Sequence, residues 1–146
     1  MNVRDLITQD RIVFNEAIAT KEGLLTAAAQ LFAREGIADD VQDMYDALQA
    51  REAEAQTGIE DGFGVPHAKS SHVAKPALAF FHTAKIADYV GLDDSSIECS
   101  FVIVCPENGG DVHLDVLSSL VRRLVDEDFR NAMRGAKSAD EVLALL

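Results

Sequence analysis

Thr57-Gly58-Ile59-Glu60-Asp61-Gly62-Phe63-Gly64-Val65-Pro66-His67 sets three glycines and a proline directly ahead of one histidine. Glycine lets a backbone approach a ligand or partner surface closely. Pro66 fixes its own φ, removes an N–H donor and pushes Val65 into an extended conformation. The reading is of a histidine presented on a stiff, shaped loop. Such an imidazole can serve as nucleophile, general base or metal ligand.

Outward from this stretch, two residues can share a site with His67. His113 falls in the first turn of a helix expected over 112–125, with Asp111 as its N-cap. Positions 113, 117, 120 and 124 lie on one helical face, and the last three are leucines. At the positive end of the helix dipole His113 favours its neutral form, beside N–H groups that accept an anion. The competing reading is a core histidine bonded to a backbone carbonyl. Arg51, near the end of a second helix, shares a face with Met44 and Leu48. Its planar guanidinium suits a phosphate or carboxylate, although an arginine there can also simply snorkel over apolar surface.

The other histidines carry less. His72 reads as a solvated loop residue and His82 as structural, inside a strand. Glu60 and Asp61 can orient an imidazole, as carboxylates do in triads, or can simply form a turn. No H-E-x-x-H or paired-cysteine spacing supports a metal, so no metal ligand is assigned. Gly64-Val65-Pro66-His67-Ala68-Lys69 lacks the phosphate-loop pattern, and no nucleotide or other cofactor is expected. Cys99 and Cys105 share one apolar segment and read as free, buried thiols.

The chain has 146 residues, 48% of them hydrophobic, and a formal net charge of −12. That length fits a single domain over 1–146, able to bury roughly 68–70% of its unfolded surface. The acidic balance argues against nucleic acid and suits a basic protein partner. No apolar run approaches a membrane span, and the N-terminus lacks signal-peptide regions, so a cytoplasmic location is expected. A strand is expected over 11–14, helices over 21–34 and from 39 or 40 to 54, and buried strands over 77–83 and 97–104. A last helix begins at Ser138, which has capping-box spacing to Glu141. The alternation implies a layered α/β domain.

These motifs resemble the enzyme IIA domains of the sugar phosphotransferase system, in the fructose/mannitol branch that includes the nitrogen-regulatory IIA proteins. The resemblance is carried by Thr57-Gly58-Ile59, Gly64-Val65-Pro66-His67-Ala68, Arg51-Glu52 and His113-Leu114 followed by Leu117, and covers about 5–146. It implies a mixed five-stranded sheet flanked by helices on both faces. It also implies that His67 accepts phosphate from the phosphocarrier HPr and passes it to an enzyme IIB domain. His113 would bond the phosphoryl group or orient His67, and Arg51 would support the negative charge. Association with a membrane permease component, not insertion, is implied. The alternative is a regulatory protein whose phosphohistidine state controls partner binding.

Two departures stand out. Many relatives read Ala-Ile-Pro-His where this chain has Gly64-Val65-Pro66-His67, and Tyr89-Val90-Gly91-Leu92-Asp93-Asp94 is a less typical form of its family stretch. Gly64 is expected to loosen the approach to the site. Transient encounters of this kind bury less than about 1,200 Å². A shallow apolar patch around His67 is therefore expected, including Phe63 and Val65. Its acidic rim would make transfer salt-sensitive.

Overall fold

In the computed structural model, which describes residues 2–146, two 3-10 turns (Val3–Leu6 and Gln9–Arg11) lead into β1 (Ile12–Asn15). Helices α1 (Lys21–Arg34) and α2 (Val41–Glu54) follow, then the short strands β2 (Gly58–Glu60), β3 (Phe63–Gly64) and β4 (His67–Ser70). The long strands β5 (Ala77–Val90) and β6 (Ser96–Pro106) form a hairpin, and α3 (Val112–Leu124), α4 (Glu127–Gly135) and α5 (Ala139–Leu145) complete the chain.

The hairpin organises everything else. Along β5, Ala77, Ala79 and Phe81 pack on one face, while Leu78 and Phe80 pack on the other. Along β6, Val102 and Val104 oppose Phe101, Ile103 and Cys105 in the same way. A strand apolar on both faces must be central, because successive side chains point to opposite sides. The first face meets Leu24, Ala28 and Phe32 of α1 and Met44 and Leu48 of α2. The second meets Val116, Leu120 and Leu124 of α3, Met133 of α4 and Val142 of α5. Phe80 and Phe101, register partners, place their rings 5.0 Å apart.

The sheet order is β1-β5-β6-β3-β2, with β4 also on β6. Strands β3 and β4 occupy one lane: Phe63 pairs with Cys99 and His67 with Ile103, so the register never slips. The pair is one parallel strand interrupted at Val65-Pro66. Six strands thus fill five lanes, and the expected mixed five-stranded sheet with helices on both faces is what forms.

Helix starts follow the sequence. Thr20 accepts from Gly23 N–H at 2.9 Å, Asp40 from Asp43 N–H at 3.0 Å and Ser138 from Glu141 N–H at 3.2 Å. Asp111 occupies the N-cap position of α3 but makes no side-chain cap bond. No helix among the described residues is long and apolar enough to cross a membrane.

Candidate active site

His67 is the first residue of β4, not a loop residue as expected. Pro66 cannot donate to the ladder, yet its carbonyl accepts Ile103 N–H at 3.0 Å, so the lane continues through the kink. Across the kink, Val65 donates its N–H to the Thr57 carbonyl at 3.0 Å. The Val65 carbonyl then takes the proton on Nδ1 of His67 at 2.8 Å. An oxygen with no proton of its own requires Nδ1 to be the donor, which leaves the lone pair of the neutral ring on Nε2.

His67, Arg51 and His113 line one open cleft of about 440 Å³. Arg51 arrives from the last turn of α2, where its guanidinium donates to the Ala55 carbonyl at 2.9 Å. His113 arrives from the first turn of α3, directly after β6 delivers the chain to that end of the sheet. Its Nδ1 is buried and makes no hydrogen bond among the described residues. Lys69, Glu54 and Glu107 add both signs of charge to the walls.

His67 is half-buried, and burial pushes its imidazole below its ordinary value. The Val65 carbonyl pulls the other way. The Arg51 cation and His113 lower it further, while Glu52 raises it. The result is a neutral ring at neutral pH. A neutral nitrogen nucleophile, a cation and a second imidazole suffice to accept and hold a small anionic group.

The expected apolar patch is corrected. Phe63 and Val65 are buried, at 0% and 2% exposure, and cannot face a partner. Their side chains fill the core beneath the interrupted lane, because β3 lies between β6 and β2. Leu114, half-exposed and next to His113, is the apolar residue left at that end of α3. Gly64 does not loosen the site either: a Cβ there would run into the Tyr89 ring.

Glu60 and Asp61 do not line the cleft. Asp61 (φ +53°) and Gly62 (φ +81°) turn the chain between β2 and β3, as the turn reading anticipated. Asp61 also receives Arg130 at 3.0 Å and Arg134 at 3.0 Å, which hold its carboxyl below the usual range despite the opposing effect of burial. His72 is exposed and bonded to Asp39 at 2.6 Å, and that carboxylate raises it. His82 on β5 faces Glu98 and Cys99 of β6, the three ligand atoms within 4.8 Å of one another. Glu98 there is already paired with Arg134 at 3.4 Å. Both cysteines are free and buried.

Three neighbours of the site escaped the sequence reading as functional residues. Glu52 is 5% exposed, and the Thr57 hydroxyl donates to it. Tyr89 is fully buried with its hydroxyl 2.6 Å from Thr57 Oγ1. The available signal was Glu52 itself, a carboxylate continuing the Met44, Leu48 stripe at the next four-residue step.

Comparison with known proteins assigns the chain. Residues 5–146 match the family described as "Phosphoenolpyruvate-dependent sugar phosphotransferase system, EIIA 2", and the chain belongs to that family. A protein of Haloferax volcanii, "PTS system fructose-specific EIIA component", is 39% identical, with 100% of this chain aligned to 97% of it. The "PTS system fructose-specific EIIABC component" of Bacillus subtilis is 30% identical over all of this chain, which spans 23% of that longer protein. The crystal structure of nitrogen regulatory protein IIA-Ntr from Neisseria meningitidis superimposes with a TM-score of 0.90 at 27% identity, covering 98% of this chain and 97% of that one.

Proposed function

We propose that the chain is a phosphoryl carrier of the sugar phosphotransferase system, phosphorylated on Nε2 of His67. One observation carries the reading: Nδ1 is tied to the Val65 carbonyl, and Nε2 is the nitrogen left to react in a cleft shared with Arg51 and His113. The Nε2 lone pair attacks the phosphorus of phospho-HPr as the donor's P–N bond breaks, and the donor nitrogen keeps the electron pair. The transition state is loose and in line, so positioning and charge stabilisation do most of the work. Arg51 balances the phosphoryl charge. His113 donates to a phosphoryl oxygen and orients the group. In the second half-reaction a nucleophile of an enzyme IIB domain, usually a cysteine in this branch, attacks the same phosphorus and the bond to Nε2 breaks.

The likeness to a stand-alone fructose-specific IIA, and to a IIABC protein over a IIA-sized part, supports transfer to IIB in sugar uptake. The closeness of the backbone to a nitrogen regulatory IIA supports a second reading, in which the phosphohistidine state controls partner binding. Purified chain is incubated with phospho-HPr, then with a fructose-type IIB. Label that enters the chain, is lost in His67→Ala and moves on to IIB supports the carrier reading. Label that enters and stays favours the regulatory one. A His67→Ala variant that labels like the parent refutes both.

A further inference from the structure

Glu52, Thr57 and Tyr89 form a buried polar group that no transfer step uses. Thr57 is 8% exposed, and each of its polar atoms other than its N–H is committed. Its hydroxyl proton goes to Glu52 Oε1. The Tyr89 hydroxyl, 2.6 Å away, must therefore donate into a Thr57 lone pair. Burial, and then the charge of Glu52, hold the Tyr89 phenol well above its usual range, so it keeps that proton. On its far side Glu52 faces Lys21 Nζ at 3.5 Å, and Lys21 also sits over the Tyr89 ring, 5.2 Å from its centroid. Tyr89 O–H thus donates to Thr57, Thr57 O–H donates to Glu52, and Lys21 forms an ion pair with the same buried carboxylate.

That group is tied to the reacting ring by main chain alone. The Thr57 carbonyl accepts Val65 N–H at 3.0 Å, and the other end of the Val65 residue, its carbonyl, accepts His67 Nδ1–H at 2.8 Å. Pro66, with fixed φ, spans the remaining gap. Two bonds set the Thr57 side chain, Thr57 sets Val65, and Val65 selects the tautomer of His67. In a low-dielectric setting such hydrogen bonds are stronger than in water, and the Glu52 oxygen not bonded to Thr57 has the Lys21 ion pair but no hydrogen bond among the described residues.

We infer that Thr57 is a positioning residue for His67, with Glu52 and Tyr89 as its anchors, and that this linkage holds the ring in the Nδ1–H form with Nε2 free. The inference rests on His67 being the phosphoryl acceptor, but its first readout needs no phosphate. Gly64 and Tyr89 are in contact, and the space a Cβ at 64 would take is filled by the hydroxyl that anchors Thr57.

The test is the His67 ring in Thr57→Val, read by 15N chemical shifts across a pH titration. The variant keeps the side-chain shape and deletes the hydroxyl. The expected result is a mixed tautomer population in place of a dominant Nδ1–H form, a displaced titration midpoint, and phosphate acceptance slower by about 10- to 100-fold, the scale of a small misplacement of a reacting group. Thr57→Ser, which restores the hydroxyl, should return both ring shifts and rate. A Thr57→Val protein with lowered stability but parental ring shifts would overturn the inference and leave Thr57 as core. If Thr57→Val does not fold, Tyr89→Phe carries the test, because it deletes only the outer bond. A smaller shift in the same direction supports the linkage, and an unchanged ring overturns it. Failure of the parent itself to take phosphate would count against the carrier reading instead, and would leave the tautomer result standing.

Discussion

Gly64→Ala is expected to cost stability, and Tyr89 is the reason. A Cβ at position 64 would lie 2.8 Å from Tyr89 Cζ and 3.1 Å from Cε2, and nearer still to the hydroxyl. Carbon atoms in contact normally sit at about 3.5–4.0 Å. The ring has little freedom to retreat: it is fully buried, bonded to Thr57, and covered by Lys21. Overpacking of this kind costs about 1–3 kcal/mol. Alanine returns about 0.4–1 kcal/mol by narrowing the unfolded ensemble. The net loss is about 1–2 kcal/mol, or about 2–8 °C in Tm for a chain of this size. Thermal and urea unfolding followed by circular dichroism measure it. Tyr89→Phe alone should cost about 1 kcal/mol for the lost hydrogen bond. In that background the alanine penalty should shrink by at least about 0.5 kcal/mol, because the nearest atom is gone. Gly64→Ala that unfolds with the parent, or a penalty unchanged by Tyr89→Phe, would refute the reasoning.

Three further outcomes are expected. His113→Ala should unfold close to the parent, because the buried Nδ1 it removes has no partner, while phosphoryl transfer slows by about 10²-fold as a donor to the developing charge is lost; paired Tm and rate measurements check both. Burial places the His67 titration below the ordinary value near 6.5, so phosphate acceptance should hold its plateau through that pH and fall only below it, and an NMR titration at or above 6.5 would contradict this. By the same sign, the unfolded chain takes up that proton first, so the group's contribution to stability is complete above about pH 6.5 and declines as pH falls through it toward the lowered folded value. Cys99, fully buried with its thiol pushed up to about 12, should stay silent to a disulfide thiol reagent in the native state and react once the chain is unfolded.

Much of the fold was legible because its signals are local. Lys21–Arg34 forms over the expected residues, since Leu24, Leu25, Ala28, Leu31 and Phe32 make an apolar stripe at helical spacing. The strand expected over 77–83 runs on to Val90, however. Register shifts between His82, Ile86 and Val90 leave buried residues at 83, 86 and 89, a spacing of three that hides a strand from any alternation test. Helix α4 also went unread. It is short, and of its nine residues only Met133 is buried, so its place depends on Arg130 and Arg134 reaching the turn at Asp61. Strands β2, β3 and β4 are two to four residues each and exist through pairing with distant β6 and with each other, which no local pattern reports.

The site divides in the same way. His67 stood out by residue type and position, while Arg51 and His113 had competing structural readings until the family resemblance joined them to it; the structure brings all three to one cleft. What the sequence could not supply is depth. Phe63 and Val65 look like surface in a glycine-rich stretch, but an interrupted central lane buries them. Thr57 looks like the start of a turn, but a carboxylate, a phenol and a peptide N–H converge on it.

The most direct test of the account is the position of the phosphate. The chain, labelled with 15N in its histidines, is phosphorylated by phospho-HPr and examined for nitrogen–phosphorus coupling. One phosphohistidine is expected, at His67, with the bond on Nε2 and a proton retained on Nδ1. Phosphate on Nδ1 of His67, or on a different residue, would contradict it.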